Sequence, residues 1–223
     1  MTSPLPDDRE LVMRRISEAL RLRRDHVEPH LDAATYRNLL PRIGDTLEER
    51  IEHFRLWSER LQTEFLVCSR TDLPEKLNEL RQNHGWHRAA CHGADLARQA
   101  LSLCRLDSET TVRIDDAGIE PYDKDALETC DVSFTVCDAL VAQTGSVLLT
   151  ARSAGGRALS VLPPHHVVLA NADQLVPDLP AAMTLIRERY GDAMPSLVTF
   201  HTGPSRTGDI ERTIVLGAHG PKK

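Results

Sequence analysis

The sequence has no long apolar run, no excess of basic residues and no paired-cysteine motif, and each absence closes off a class of function. No stretch approaches the roughly 20 apolar residues that a membrane-spanning helix needs. The opening Met1-Thr-Ser-Pro-Leu-Pro-Asp-Asp8 is polar and acidic, without the apolar centre of a secretory leader. A soluble, cytoplasmic protein is expected. Lysine and arginine number 27 against 33 aspartates and glutamates, a net charge of -6. That balance argues against a dedicated nucleic-acid module, whose footprint is usually a basic excess. The five cysteines (Cys68, Cys91, Cys104, Cys130, Cys137) are odd in number and include no C-x-x-C pair. Neither a disulfide framework nor a zinc or iron–sulfur site made by this chain alone is expected, and the thiols read as reduced and buried. Also missing are G-x-G-x-x-G, the Walker lysine loop, H-E-x-x-H, the G-x-S-x-G elbow and an EF-hand loop, so nucleotide binding through the commonest motifs is unsupported.

What is present suits a globular chain: 223 residues, 41% of them apolar, enough for one good-sized domain with a small appendage. Residues 1–62 read as a helical N-terminal extension. Asp7 and Glu10 have capping-box spacing, followed by Val12, Ile16, Ala19 and Leu20 at helical intervals. Thr46 and Glu49 make a second box ahead of Leu47, Ile51, Phe54, Trp57 and Leu61, with Pro29, Pro41 and Gly44 breaking the chain between them. Both helices are amphipathic, which suggests an antiparallel cap.

Residues 63–223 read as an α/β domain. Phe65–Cys68, Arg88–Cys91 and Thr110–Ile114 have strand character and alternate with helices opening at Asp72 and Ala94. That alternation implies a largely parallel sheet with crossover helices. Val132–Val141, Ser146–Ala151, Ala158–Leu162 and Val167–Ala170 then follow closely, with a turn at Ser153–Gly156, which suggests a hairpin or meander added to the sheet. A helix ending at Gly191 and strands at Ser196–His201 and Thr213–Gly217 close the chain. The fold class expected is therefore α/β, a mixed and largely parallel sheet with flanking helices.

Ten histidines raise the question of a metal. His84, His87 and Cys91 could share a helical face, but a strand at Cys91 scatters them, so no metal is expected. His165 and His166 follow two prolines on an extended segment. Neighbouring side chains there point to opposite sides, so only one of the two is expected to face a pocket. The glycine-bearing loops say more. Thr202-Gly-Pro-Ser-Arg-Thr-Gly-Asp-Ile-Glu211 follows an apolar strand, an arrangement with which α/β proteins build anion sites. Gly203 and Gly208 allow close backbone approach, Ser205 and Thr207 offer hydroxyls, and Arg206 can fork onto a carboxylate or phosphate. A plain surface turn with a solvated arginine fits the same spacing.

Four segments in order, Ala142-Gln-Thr-Gly145-Ser, Arg157-Ala-Leu-Ser-Val-Leu-Pro-Pro164, Thr202 to Glu211 and Leu216-Gly-Ala-His-Gly-Pro221, resemble the lactate-utilisation protein C family (LUD domain, YkgG-type). The resemblance implies a fold like ribose-5-phosphate isomerases, CoA transferases and 5-formyltetrahydrofolate cyclo-ligases. It implies a role in oxidising L-lactate to pyruvate beside two partner proteins, at least one carrying iron–sulfur clusters, with no cofactor in this chain. The matching positions make Gln143, Thr144, Gly145, Arg157, Thr202, Gly203, Ser205, Arg206, Asp209, Glu211 and His219 the candidate ligand-binding set, for a small anionic ligand. Relatives usually carry an acid where this chain has Gln143, and an amide cannot serve as general base or carboxylate nucleophile. Two further readings stand beside this one: a free-standing isomerase, CoA transferase or cyclo-ligase acting on a phosphorylated or acyl-CoA substrate, and a scaffold with a vestigial pocket.

Overall fold

The computed structural model describes residues 8–21, 43–104, 106, 111–114, 123–207, 215–217 and 220–223. Contacts separate residues 1–40 from residues 41–223. The first unit contributes one described helix, α1 (Asp8–Arg21); Asp7 of its expected capping box lies outside the described residues.

In the second unit, α2 (Leu47–Leu61) begins at the expected box: Glu49 N–H donates to Thr46 Oγ1 at 3.2 Å, and Thr46 N–H donates to the Glu49 carboxylate at 3.1 Å. Then come α3 (Leu73–His84), β1 (Ala89–His92), α4 (Asp95–Leu103), β2 (Thr111–Ile114), α5 (Lys124–Glu128) and β3 (Val132–Val136). Gly85 ends α3 in the left-handed conformation, its N–H returning to the carbonyls of Arg81 and Gln82. The Asp131 carboxylate accepts from the N–H groups of His87 and Arg88 and so fixes the start of β1. The chain continues through β4 (Ala139–Val141), β5 (Ser146–Thr150), β6 (His165–Leu169), β7 (Leu175–Val176), α6 (Leu179–Tyr190), β8 (Val198–His201), β9 (Arg206–Thr207) and β10 (Val215–Leu216).

The strands form two four-stranded sheets and a short antiparallel β9–β10 pair. The first sheet has the order β2-β1-β3-β6 and is wholly parallel, with Val132 opposite His165 and Val136 opposite Leu169. The second, β7-β4-β5-β8, is mixed. In the parallel sheet, Ala89 and Cys91 face Ala97, Ala100 and Leu101 of α4, while Ala90 faces Leu127 and Leu159 on the other side. Small side chains on β1 let both covering layers come close. The mixed sheet packs Ala139, Val141 and Leu148 against Ala182 and Ile186 of α6. α2 also belongs to this unit, with Phe54 buried against Ala142 and Leu175.

Three strand expectations need correction. Phe65–Cys68 is extended chain with no ladder; Phe65 packs on Phe54 at 4.8 Å while Leu66 and Val67 stay exposed. Ala158–Leu162 is a run of turns in which Ala158 and Leu159 are nonetheless buried beneath the parallel sheet, while Val161 is exposed. Val132–Val141 is two strands in different sheets, broken at Cys137–Asp138. The hairpin is therefore β4–β5, turning at Ala142–Gly145 rather than at Ser153–Gly156. No helix among the described residues is long and apolar enough to cross a membrane.

Candidate functional site

A cavity of about 280 Å³ lies along β6, the outer strand of the parallel sheet, and is closed by α3, the extended 63–68 segment, the Gly145 and Gly203 turns and the chain end. Its walls are mainly apolar, with Phe54, Phe65, Leu77, Leu80 and Val167 among them. Four histidines line it: His84 from the end of α3, His165 and His166 from β6, and His201 from β8.

Trp86 organises one side. Only 2% exposed, it donates its indole N–H to Nδ1 of His165 at 2.6 Å, stacks on His84 and meets Phe134 edge-on. Because His165 Nδ1 accepts, its neutral ring carries hydrogen on Nε2. His84 Nε2 donates to the Glu64 carboxylate at 3.1 Å. On the other face of β6, His166 Nε2 hydrogen-bonds Thr135 Oγ1 at 2.8 Å, and its ring lies 6.0 Å from that of His201.

Burial pushes the His166 pKa down to about 3, with His201 adding a smaller repulsion. Burial lowers that of His201, and burial followed by the positive charges of His84 and Lys223 lowers that of His165. Three imidazoles in this cavity are therefore neutral near pH 7, able to accept or donate hydrogen bonds without bringing charge. Both His165 and His166 line the cavity, against the expectation that only one of them could. The side chains do alternate; the cavity follows the strand's outer edge and so meets both faces.

The expected site residues divide into three groups. Thr144, Gly145, Thr202 and Gly203 come together beside the cavity: the buried Ser146 Oγ lies 2.7 Å from both Thr144 Oγ1 and Thr202 Oγ1, a hydroxyl chain that joins the two motif turns. Gly145 (φ +65°) and Gly203 (φ +80°) both line the cavity, and both lie beneath the end of α2. A Cβ on Gly145 would stand 2.6 Å from Trp57 Cβ, and one on Gly203 would stand 3.0 Å from Leu61 Cβ. These glycines are needed for a close approach between helix and turn.

A second group is held by the protein itself. Arg157 donates to the Ser196 carbonyl at 3.0 Å, and Arg206 to the Leu61 carbonyl at 2.7 Å, where it caps α2. Neither lines the cavity. Gln143 is 8% exposed in the β4–β5 turn, its N–H donating to the Pro177 carbonyl, and it too lies away from the cavity wall. Ser205 joins the chain end: its N–H donates to the Pro221 carbonyl and its own carbonyl accepts from Gly217. Asp209, Glu211 and His219 form the third group and lie outside the described residues. Among the described residues, no cluster of three or more His, Cys, Asp or Glu side chains could hold a metal ion.

The histidines were missed as a set because they come from three separated stretches that only the topology unites. The one local signal was the Pro-Pro-His-His run. Another polar cluster sits apart, at the break between β3 and β4. Asp138, 1% exposed, accepts from Arg189 Nη1 and Tyr190 OH, each at 2.7 Å. Burial raises its pKa, but hydrogen bonding from Tyr190 and Arg189, with Ser153 and Thr150 beside it, outweighs that and holds the carboxyl below its usual range.

Comparison with known proteins agrees with this architecture. The LUD domain profile matches residues 51–223. Lactate utilization protein C of Geobacillus sp. (strain WCH70) is 29% identical over 188 residues, covering 81% of this chain and 78% of that protein. The protein of the same name from Anoxybacillus flavithermus is 28% identical over 180 residues, covering 81% and 80%. That of Geobacillus kaustophilus is 35% identical over 117 residues, covering 52% and 49%. The crystal structure of a DUF162 family protein from Deinococcus radiodurans superimposes with a TM-score of 0.58 at 21% identity, covering 79% of this chain and 94% of that one, a likeness of fold alone. With the profile spanning well over half its length, this chain belongs to the LUD domain family.

Proposed function

We propose that this chain serves lactate utilisation in the cytoplasm, as an accessory subunit in the oxidation of L-lactate to pyruvate. It works beside two partner proteins, at least one of which carries iron–sulfur clusters, and holds no cofactor itself. The name shared by the relatives, Lactate utilization protein C, supports the first part of this reading. The observation that carries it is the meeting of the Thr144–Gly145 and Thr202–Gly203 segments, joined by the buried Ser146 hydroxyl, with Gly145 and Gly203 lining the cavity. Motif residues that converge on a cavity suit a ligand-binding subunit. The guanidiniums of Arg157 and Arg206 are engaged with carbonyls of the chain, so the ligand site rests on the cavity rather than on an arginine clamp.

The test uses the host organism. Deleting the gene should slow growth on L-lactate and leave growth on pyruvate unchanged, and the tagged chain from lactate-grown cells should co-elute with a brown iron–sulfur protein. Undiminished growth of the deletion strain on lactate contradicts the role, and elution of the chain alone contradicts the partnership.

A further inference from the structure

We propose that the cavity along β6 binds a flat, uncharged ring compound carrying a carbonyl or hydroxyl group. Its volume, about 280 Å³, is near the lower end of pockets that hold small organic ligands, and a three-carbon acid would leave much of it empty. Its walls offer aromatic and aliphatic surface from Phe65, Leu73, Leu80 and Val167, backed by the buried Trp86, whose indole is fixed in place by the hydrogen bond to His165. A ring packed there gains apolar burial and aromatic contact.

The polar groups point to the same ligand. Among the described residues no arginine lines the cavity, Lys76 is tied to Glu79 at 2.8 Å and Glu64 to His84, which leaves one cation, the exposed Lys223 at the rim. What the cavity presents instead is a pair of neutral imidazoles, His166 and His201. His166 already shares a hydrogen bond with Thr135, whereas neither nitrogen of His201 has a hydrogen-bond partner among the described residues. A neutral imidazole donates to a carbonyl from one nitrogen and accepts from a hydroxyl at the other. An anion entering this cavity would lose its hydration without meeting a fork of donors, which favours an uncharged guest.

Calorimetry on the full chain with 2-naphthol and 1-tetralone tests the assignment, with L-lactate and inorganic phosphate as comparators. Both ring compounds should bind at micromolar concentrations, and neither anion should compete. Leu80→Phe, which fills the cavity, should weaken both by tenfold or more, with Val167→Phe as a second filler should the first fail to fold. His201→Leu should weaken them by roughly 3- to 10-fold, the worth of one hydrogen bond, with an unchanged melting curve. Trp86 fluorescence locates the site: 1-tetralone should quench Trp57→Phe as it does wild type, and should quench Trp86→Phe far less. Absence of binding below millimolar, equal binding by a folded filled variant, or displacement by lactate overturns the proposal. The assignment goes beyond the lactate reading, and growth on lactate plays no part in its test.

Discussion

The middle strands of the parallel sheet, β1 and β3, bury Ala89, Ala90, Cys91, Val132 and Phe134, whereas the mixed sheet is tied at the start of its inner strand β4 by an ionised carboxylate, Asp138, held by α6. One sheet relies on close packing of small and aromatic residues from two sides. The other adds a directional polar anchor where the chain crosses from β3 to β4. The cavity occupies the seam between them, with His165 and His166 from the first sheet and His201 from the second. Burial between the sheets keeps His165, His166 and His201 uncharged near pH 7.

Breaking the packing of the parallel sheet should have the largest effect. Phe134 is fully buried and meets Trp86 edge-on at 6.1 Å. Phe134→Ala should cost about 3–5 kcal/mol, read as a lower urea midpoint, and should loosen the cavity wall by removing the support of Trp86. The corresponding break in the mixed sheet is Asp138→Ala, expected to cost about 2–3 kcal/mol because it removes two hydrogen bonds to a buried ionised carboxylate, from Tyr190 and Arg189. That loss should depend on pH in a defined direction. The folded pKa of Asp138 lies below the ordinary value of 3.8, so its contribution is present above that pH and fades as pH falls through the folded pKa. Wild type and variant should therefore converge in stability in strong acid.

The join between α2 and the cavity mouth can be broken separately. Gly145→Ala imposes a strained φ and a Cβ only 2.6 Å from Trp57 Cβ, and should cost about 2–3 kcal/mol. Gly85→Ala has the same sign of φ but open space around it, and should cost about 1 kcal/mol. Equal effects in thermal melts would mean that α2 does not press on the Gly145 turn. The smallest effect is expected at Arg206, whose exposed side chain caps Leu61. Arg206→Ala should change stability by under about 1 kcal/mol and leave ring-compound binding unaltered.

How far this could be read in advance differed between the sheets. β1, β2 and the start of β3 were legible because each follows a helix and is bounded by polar or turn residues. The mixed sheet was harder, since apolar character reports burial and not hydrogen bonding. Leu159 is fully buried although it sits in a turn, and Phe65 is packed although its neighbours stay exposed and unpaired. Within the site, the expected close approach at Gly203 is made to Leu61 of α2 rather than to a ligand, Gly145 makes the same kind of approach to Trp57, and Gly208 lies outside the described residues. The arginines were misleading, because a guanidinium satisfies a backbone carbonyl, at Leu61 for Arg206 and at Ser196 for Arg157, as readily as a ligand. The imidazole cluster joins positions 84, 165, 166 and 201, and no local pattern links them.

The central claim is that the seam between the sheets holds neutral histidines, and stability should record it. Each imidazole that stays neutral in the folded chain costs about 1.4 kcal/mol for every pH unit below 6.5, because the unfolded chain takes up a proton there and the folded chain does not. His166 should contribute its stability in full above pH 6.5 and lose it progressively as pH falls toward about 3, a window in which Asp138 remains ionised until below 3.8. The most direct measurement is an NMR titration of the His166 ring, identified by its absence in His166→Gln. Its nitrogen shifts should stay those of a neutral imidazole from pH 8 down to pH 4.5 in the folded protein; protonation of the ring between pH 6 and 7 would contradict the account.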